Sequence, residues 1–116
     1  MIQDSGHRES FGTGAVRDTQ DAKPRFDLLP PAALRRVAMH YANGAKKYSD
    51  RNWEKGIPVS RCYASALRHL LAFGEGAVLE DHLSAVVFNV LAIIHFQEKK
   101  RTDMLDFPEK NSSEKT

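Results

Sequence analysis

The sequence has a single cysteine, no marked excess of either charge, and no long uninterrupted apolar run. The lone thiol, Cys62, cannot close a disulfide within the chain, and its place in an apolar helical pattern reads as small buried filler in a reducing compartment rather than as a reactive group. The 17 basic and 15 acidic residues leave a formal charge of +2, which argues against a non-specific nucleic-acid coat, since that needs a broad cationic excess. Any anion preference is therefore local. Met1 to Ser10 is polar, so no signal peptide is expected, and the most apolar region, Leu83 to Phe96, is broken by Ser84, Asn89 and His95 and is too short to span a bilayer. No Walker-type loop, dinucleotide fingerprint, paired-cysteine metal site or Ser-His-Asp order is present, and Gly12 and Gly14 are too weakly placed to count as a nucleotide loop. These absences predict a cytoplasmic protein with neither a membrane nor a nucleic-acid polymer as partner.

What is there suits one domain: 116 residues, 41% of them hydrophobic, can bury one modest core. The predicted fold class is all-α, a small helical bundle of three to four main helices with an extended N-terminal arm. Residues 1–11 read as a flexible tail, 12–100 as a single helical domain and 101–116 as a second flexible tail; the arm ends at Pro30-Pro31, where it is expected to dock on the core. A first helix is predicted from Pro30 or Pro31 to about Tyr48, carried by Leu34, Val37, Ala38, Tyr41, Ala45 and Tyr48 at steps of three and four. Ser60 is a candidate cap for a second helix ending near Gly74 or Gly76. The third runs from Glu80 or Asp81 to Lys99 or Lys100. It is apolar on more than one face, so it is expected to be central and is a candidate homodimer seam. No strand is expected.

Three constellations carry possible chemistry. The segment Arg68 to His82 sets three acids, Glu75, Glu80 and Asp81, and two histidines, His69 and His82, around one helix-to-helix turn. If the flanking helices pack antiparallel, Glu75 and Asp81 approach at one end, and carboxylates so placed repel unless a hard cation such as Mg²⁺ joins them. Equally, Glu80 and Asp81 read as helix-start charges and Glu75 as a partner for Arg68. His82 and Asn89 share a face of the third helix and need hydrogen-bond partners if buried, and a satisfied core histidine is the commoner case than a ligand. His40 and His95 carry no motif. The second constellation, Gly44 to Trp53, joins Lys46, Lys47 and Arg51 to Tyr48, Asn52 and Trp53 at a helix end. Cations beside rings suit a phosphate tail next to a stacked base, although a solvated last turn with Trp53 plugging the core gives the same pattern. The third, Lys23-Pro24-Arg25-Phe26-Asp27, reads either as a basic arm over a phosphate or as a charged linker.

The runs Gly14-Ala15-Val16-Arg17-Asp18, Lys23 to Pro30, Gly44-Ala45-Lys46-Lys47-Tyr48 with Asn52-Trp53, Ala66-Leu67-Arg68-His69-Leu70, and Asp81-His82-Leu83 with Asn89 resemble a phage-borne family, the N-terminal domain of dATP/dGTP diphosphohydrolases, over about residues 12 to 98. The resemblance implies an all-α, MazG-like pyrophosphohydrolase that cuts purine deoxynucleoside triphosphates between the α- and β-phosphates with Mg²⁺ or Mn²⁺, acting as a homodimer or higher homo-oligomer in the host cytoplasm. The MazG pattern of Glu-Glu-x-x-Glu followed by Glu-x-x-Asp is not kept, because Glu75 stands alone near the end of the second helix and Glu80 and Asp81 are adjacent. On this reading Glu75, Glu80 and Asp81 hold the metal and His69 or His82 is the base or an orienting group. Lys46, Lys47 and Arg68 grip phosphates, with Lys23, Arg25, Tyr48, Asn52, Trp53 and Asn89 completing the substrate site. The competing expectations are a non-catalytic, sponge-like nucleotide binder, a helical assembly partner with no small ligand, and, last, a His/Asp phosphohydrolase whose His-Asp order is reversed here.

Overall fold

The structure, a computed structural model, describes residues 8–19 and 21–108, so the expected tails fall largely outside the described residues. The chain divides after Pro30 into two compact units.

The N-terminal unit holds the element that hydrophobic periodicity did not reveal, an antiparallel hairpin of β1 (Arg8–Ser10) and β2 (Val16–Asp18). Three-residue strands of mostly charged side chains carry no apolar alternation, so their signal lies in the turn. There Phe11 N–H donates to the Ala15 carbonyl at 2.9 Å and Gly14 takes a positive φ of 91°. Arg8 pairs across the ladder with Asp18 at 3.0 Å. A 3-10 turn follows at Phe26–Leu28.

The second unit is the expected helical bundle of α1 (Pro31–Lys47), α2 (Val59–Gly74) and α3 (His82–Glu98). Proline at the first position of α1 uses the one place in a helix where a missing N–H costs nothing. α3 packs against both α1 and α2, and its Ala85, Ala92 and Phe96 are buried, as expected for a central helix apolar on several faces. The innermost cluster joins Ala92 and Phe96 to Val59 and Cys62 of α2, with Trp53, Ile57, Ile93, Met104 and Leu105 packed around it. Cys62 is a buried free thiol, and burial pushes its pKa up.

The start of α2 is held by residues that follow α3. Ser60 is not the cap: the capping position is Pro58, whose ring carries no hydrogen-bonding side-chain atom. The exposed donors of the first turn are met from the far end of the chain instead. Val59 N–H donates to the Met104 carbonyl at 2.8 Å, Ser60 N–H to the Asp106 carboxylate at 2.8 Å, and the Ser60 hydroxyl to the other Asp106 oxygen. Residues 101–108 are thereby fastened to the bundle. Among the described residues no helix is long and apolar enough to cross a membrane.

Candidate functional site

One face of each helix contributes to a single cleft of about 800 Å³. On α1 the contributing residues are Arg36, His40, Asn43 and Lys47, at steps of four, three and four, so they form one polar stripe beside the apolar one that builds the core. Gly44 lies within that stripe, and a methyl group placed on it meets nothing within 4 Å. α2 contributes Ser65, Arg68 and His69, the turn after it Leu79, Glu80 and Asp81, and α3 Ala85, Phe88 and Asn89.

Asp81 is the pivot of the turn. As N-cap of α3 it accepts from Ser84 N–H at 3.2 Å and from the Ser84 hydroxyl at 2.6 Å, and both its oxygens also meet the Arg36 guanidinium, at 3.0 and 2.5 Å. The fork from Arg36, aided by Ser84, holds the Asp81 carboxyl well below the usual carboxylate range. One bidentate pair thus ties α1 to the α2–α3 turn across the cleft. Asn89 is buried, its amide nitrogen donating to the Ala85 carbonyl at 2.8 Å and the Ser65 hydroxyl at 3.2 Å.

Beside this pivot two imidazoles meet. The Nδ1 atoms of His69 and His82 stand 2.9 Å apart, and Glu80 Oε1 lies 3.9 Å from the first and 3.7 Å from the second. Burial lowers the pKa of His69, outweighing the opposite pull of Glu80, so the ring is neutral near pH 7. Arg68, whose only hydrogen bond runs to Ser65 at 3.4 Å, has no carboxylate partner among the described residues, and Lys47 has none either. The cleft is therefore lined by two cations without a carboxylate partner among the described residues, Lys47 and Arg68, and by the imidazole–carboxylate group of His69 and Glu80.

A second cavity, of about 320 Å³, adjoins the first and shares His40, Gly44, Tyr48 and Phe88 with it. Its walls are largely aromatic, with Tyr41, Trp53 and Phe88 in mutual edge contact at centroid distances of 5.0 to 6.4 Å. Trp53 also packs on His95 and Phe96, so it plugs the core and lines a cavity at once. Because Gly44 has no side chain, only bare helix backbone separates the two spaces on that side.

The cleft thus gathers Lys47, Tyr48, Arg68, His69, Glu80, Asp81 and Asn89 of the residues singled out in the sequence. Asn52 and Trp53 line the aromatic cavity, and His82 borders a shallow pocket on the outer side of the turn. Lys46 and Glu75 line none of these spaces; Glu75 is exposed at the C-cap of α2 and does not pair with Arg68. Lys23 and Arg25 belong to the N-terminal unit, where they pair with Asp18 at 3.6 Å and Asp27 at 2.7 Å. The three acids do not form an oxygen cage: Asp81 is taken by Arg36 and Ser84, Glu75 stands outside, and only Glu80 faces the cleft uncommitted to a cation. A hard ion such as Mg²⁺, which demands oxygen donors, does not fit that set. Sequence reasoning missed Arg36 and Phe88 and dismissed His40; the polar repeat along α1 was the signal for the first and last of these.

The model of the family described as "dATP/dGTP diphosphohydrolase, N-terminal" matches residues 13–105. No curated protein and no solved structure matches the chain.

Proposed function

Because the chain belongs to the dATP/dGTP diphosphohydrolase N-terminal family, we propose that it hydrolyses a purine deoxynucleoside triphosphate between the α- and β-phosphates, releasing the monophosphate and pyrophosphate. The observation that carries this is the junction of two unlike spaces: a polar cleft with unneutralised Lys47 and Arg68, opening past Gly44 into an aromatic pocket walled by Tyr41, Trp53 and Phe88. A nucleotide has the same two ends. Aromatic faces take the base through stacking worth ~1–3 kcal/mol, and cations take the phosphates.

In this arrangement Lys47 and Arg68 hold the triphosphate and offset the charge that builds on the leaving pyrophosphate as water adds to the α-phosphorus and the bridging P–O bond breaks. Arg36 is committed to Asp81, and the pair keeps α1 and the turn at a fixed spacing, so that phosphates and water meet in register. We place His69 and His82 on the water's side of the α-phosphorus, as the groups that orient it and ease removal of its proton.

The test is pyrophosphate release from dATP and dGTP by the purified chain, with Mg²⁺ or Mn²⁺ supplied. Arg68→Ala is expected to slow the reaction by about 10²–10³, the usual effect of removing one group that stabilises transition-state charge. Absence of pyrophosphate from every deoxynucleoside triphosphate tried would remove the hydrolase reading. One observation favours a second reading, a non-catalytic nucleotide binder: the expected carboxylates are not gathered. Tight calorimetric binding without turnover would select it.

A further inference from the structure

We propose that His69, His82 and Glu80 form a binding site for a borderline first-row transition ion such as Co²⁺ or Zn²⁺, distinct in ligands and in metal class from an all-carboxylate Mg²⁺ site. The inference goes beyond the nucleotide reading and stands without it.

Two nitrogens bonded to one ion at ~2.1 Å lie ~3.0 Å apart at a right angle and ~3.4 Å apart at a tetrahedral angle. The two Nδ1 atoms share a hydrogen bond at 2.9 Å, close to the right-angle separation, and a tetrahedral ion needs them to part by about 0.5 Å. They come from different elements, His69 from the last turns of α2 and His82 from the first position of α3. Their spacing is therefore set by the fold and not by neighbouring positions on one helix. The Arg36–Asp81 pair and the Asp81 cap fix the turn residue immediately before His82, which holds the second ring in place. Both imidazoles are largely enclosed, with side-chain exposures of 17% and 10%. Glu80 is 65% exposed, so its carboxylate is free to close the remaining distance from 3.7–3.9 Å. These three are also the one cluster of metal-ligating side chains among the described residues, with all donor atoms within 4.8 Å of one another.

The donor set decides the ion. Imidazole nitrogen suits Zn²⁺, Co²⁺ or Ni²⁺, whereas Mg²⁺ and Mn²⁺ prefer oxygen donors. Three protein ligands leave coordination positions open, as in catalytic rather than structural metal sites. His69 and Glu80 line the cleft, and Glu80 and His82 line the pocket beside it, so an ion held there lies at the wall of both spaces.

The test uses the full chain, stripped with a chelator and titrated with Co²⁺ in the absence of nucleotide. The expected result is one Co²⁺ per chain with visible d–d absorption, displaced by Zn²⁺ and not by a large excess of Mg²⁺. His69→Gln and His82→Gln are each expected to weaken binding at least tenfold while the helical circular dichroism is kept. X-ray absorption on the Zn²⁺-loaded unmutated protein, expected to show two imidazoles, needs no variant to fold. Failure to bind Co²⁺, Co²⁺ binding unchanged in both variants, or fewer than two imidazoles around Zn²⁺ would overturn the proposal and leave only a hydrogen-bonded histidine pair. Since no nucleotide is present, each of these outcomes is independent of whether the protein is a hydrolase.

Discussion

Tyr48 stands where the two halves of the site meet, lining both the polar cleft and the aromatic pocket while remaining mostly exposed itself. Lys47 Nζ lies 5.4 Å from the centroid of its ring. A residue so placed contributes to ligand binding without carrying the core. Tyr48→Ala is therefore expected to raise KM for a purine deoxynucleoside triphosphate by about 5- to 100-fold, the range that follows from losing one stacking contact, with little change in kcat or melting temperature. Trp53 is the contrasting case: its edge contacts with His95 and Phe96 make it a core residue as well, so its replacement is expected to lower stability and binding together. The sequence placed these two side chains in one cluster and left open whether they fill the core or face a ligand. In the structure Tyr48 is exposed at the rim of both spaces, whereas Trp53 packs in the core and lines the aromatic cavity as well.

At the scale of elements, most of the helical framework was legible because three amphipathic or apolar periods and their proline, glycine and acidic boundaries are local signals. Asp81 at the start of α3 is one such signal, and it is realised as the N-cap. The non-local partnerships were not legible. Nothing in a stretch around Asp81 announces Arg36, 45 residues earlier, and nothing around Ser60 announces Asp106. For the same reason the acids of the α2–α3 turn read as a shared metal site, whereas the fold sends one to Arg36 and leaves another outside the cleft. The docking of residues 101–108 on α2 has a pH signature. Hydrogen bonds from Ser60 hold the folded pKa of Asp106 below its ordinary value of about 3.9. A group depressed in this way contributes stability that is present above its unfolded pKa and lost as pH falls through the folded one. The melting temperature of the unmutated protein is accordingly expected to drop on acidification below about pH 4 by more than that of Asp106→Asn, which starts lower at neutral pH. Equal slopes for the two proteins would show that this contact does not contribute.

The same segment constrains Gly56, whose φ of 128° is one that side chains rarely adopt. A Cβ there would stand 2.8 Å from Arg101 Nη2 and 2.9 Å from Met104 Sδ. Gly56→Ala is expected to destabilise the protein by about 1–3 kcal/mol through backbone strain, read as a lower midpoint in urea.

The helical unit buries few side chains completely and leaves many large apolar ones exposed. Leu67, Leu70 and Leu71 of α2 and Val87, Val90, Leu91 and Ile94 of α3 are all exposed, at helical spacing, on the two helices that pack together most extensively. Monomeric proteins rarely expose apolar patches that extend this far. With a net charge of only +2 there is little repulsion between copies. A second copy of the chain is the proposed occupant, and sedimentation equilibrium is expected to give a dimer or larger species that Leu71→Glu with Val90→Glu dissociates; a monomer at every concentration would exclude it.

The proposed site takes the nucleotide in one cleft between the three helices, phosphates toward Arg68 and base toward Trp53. The amide and side-chain NMR footprint of a non-hydrolysable α,β-imido purine deoxynucleoside triphosphate on the full chain tests this placement. Shifts are expected to concentrate at Lys47, Tyr48, Trp53, Arg68, His69 and Asn89; a footprint that avoids these residues, or none at saturating ligand, would rule the placement out.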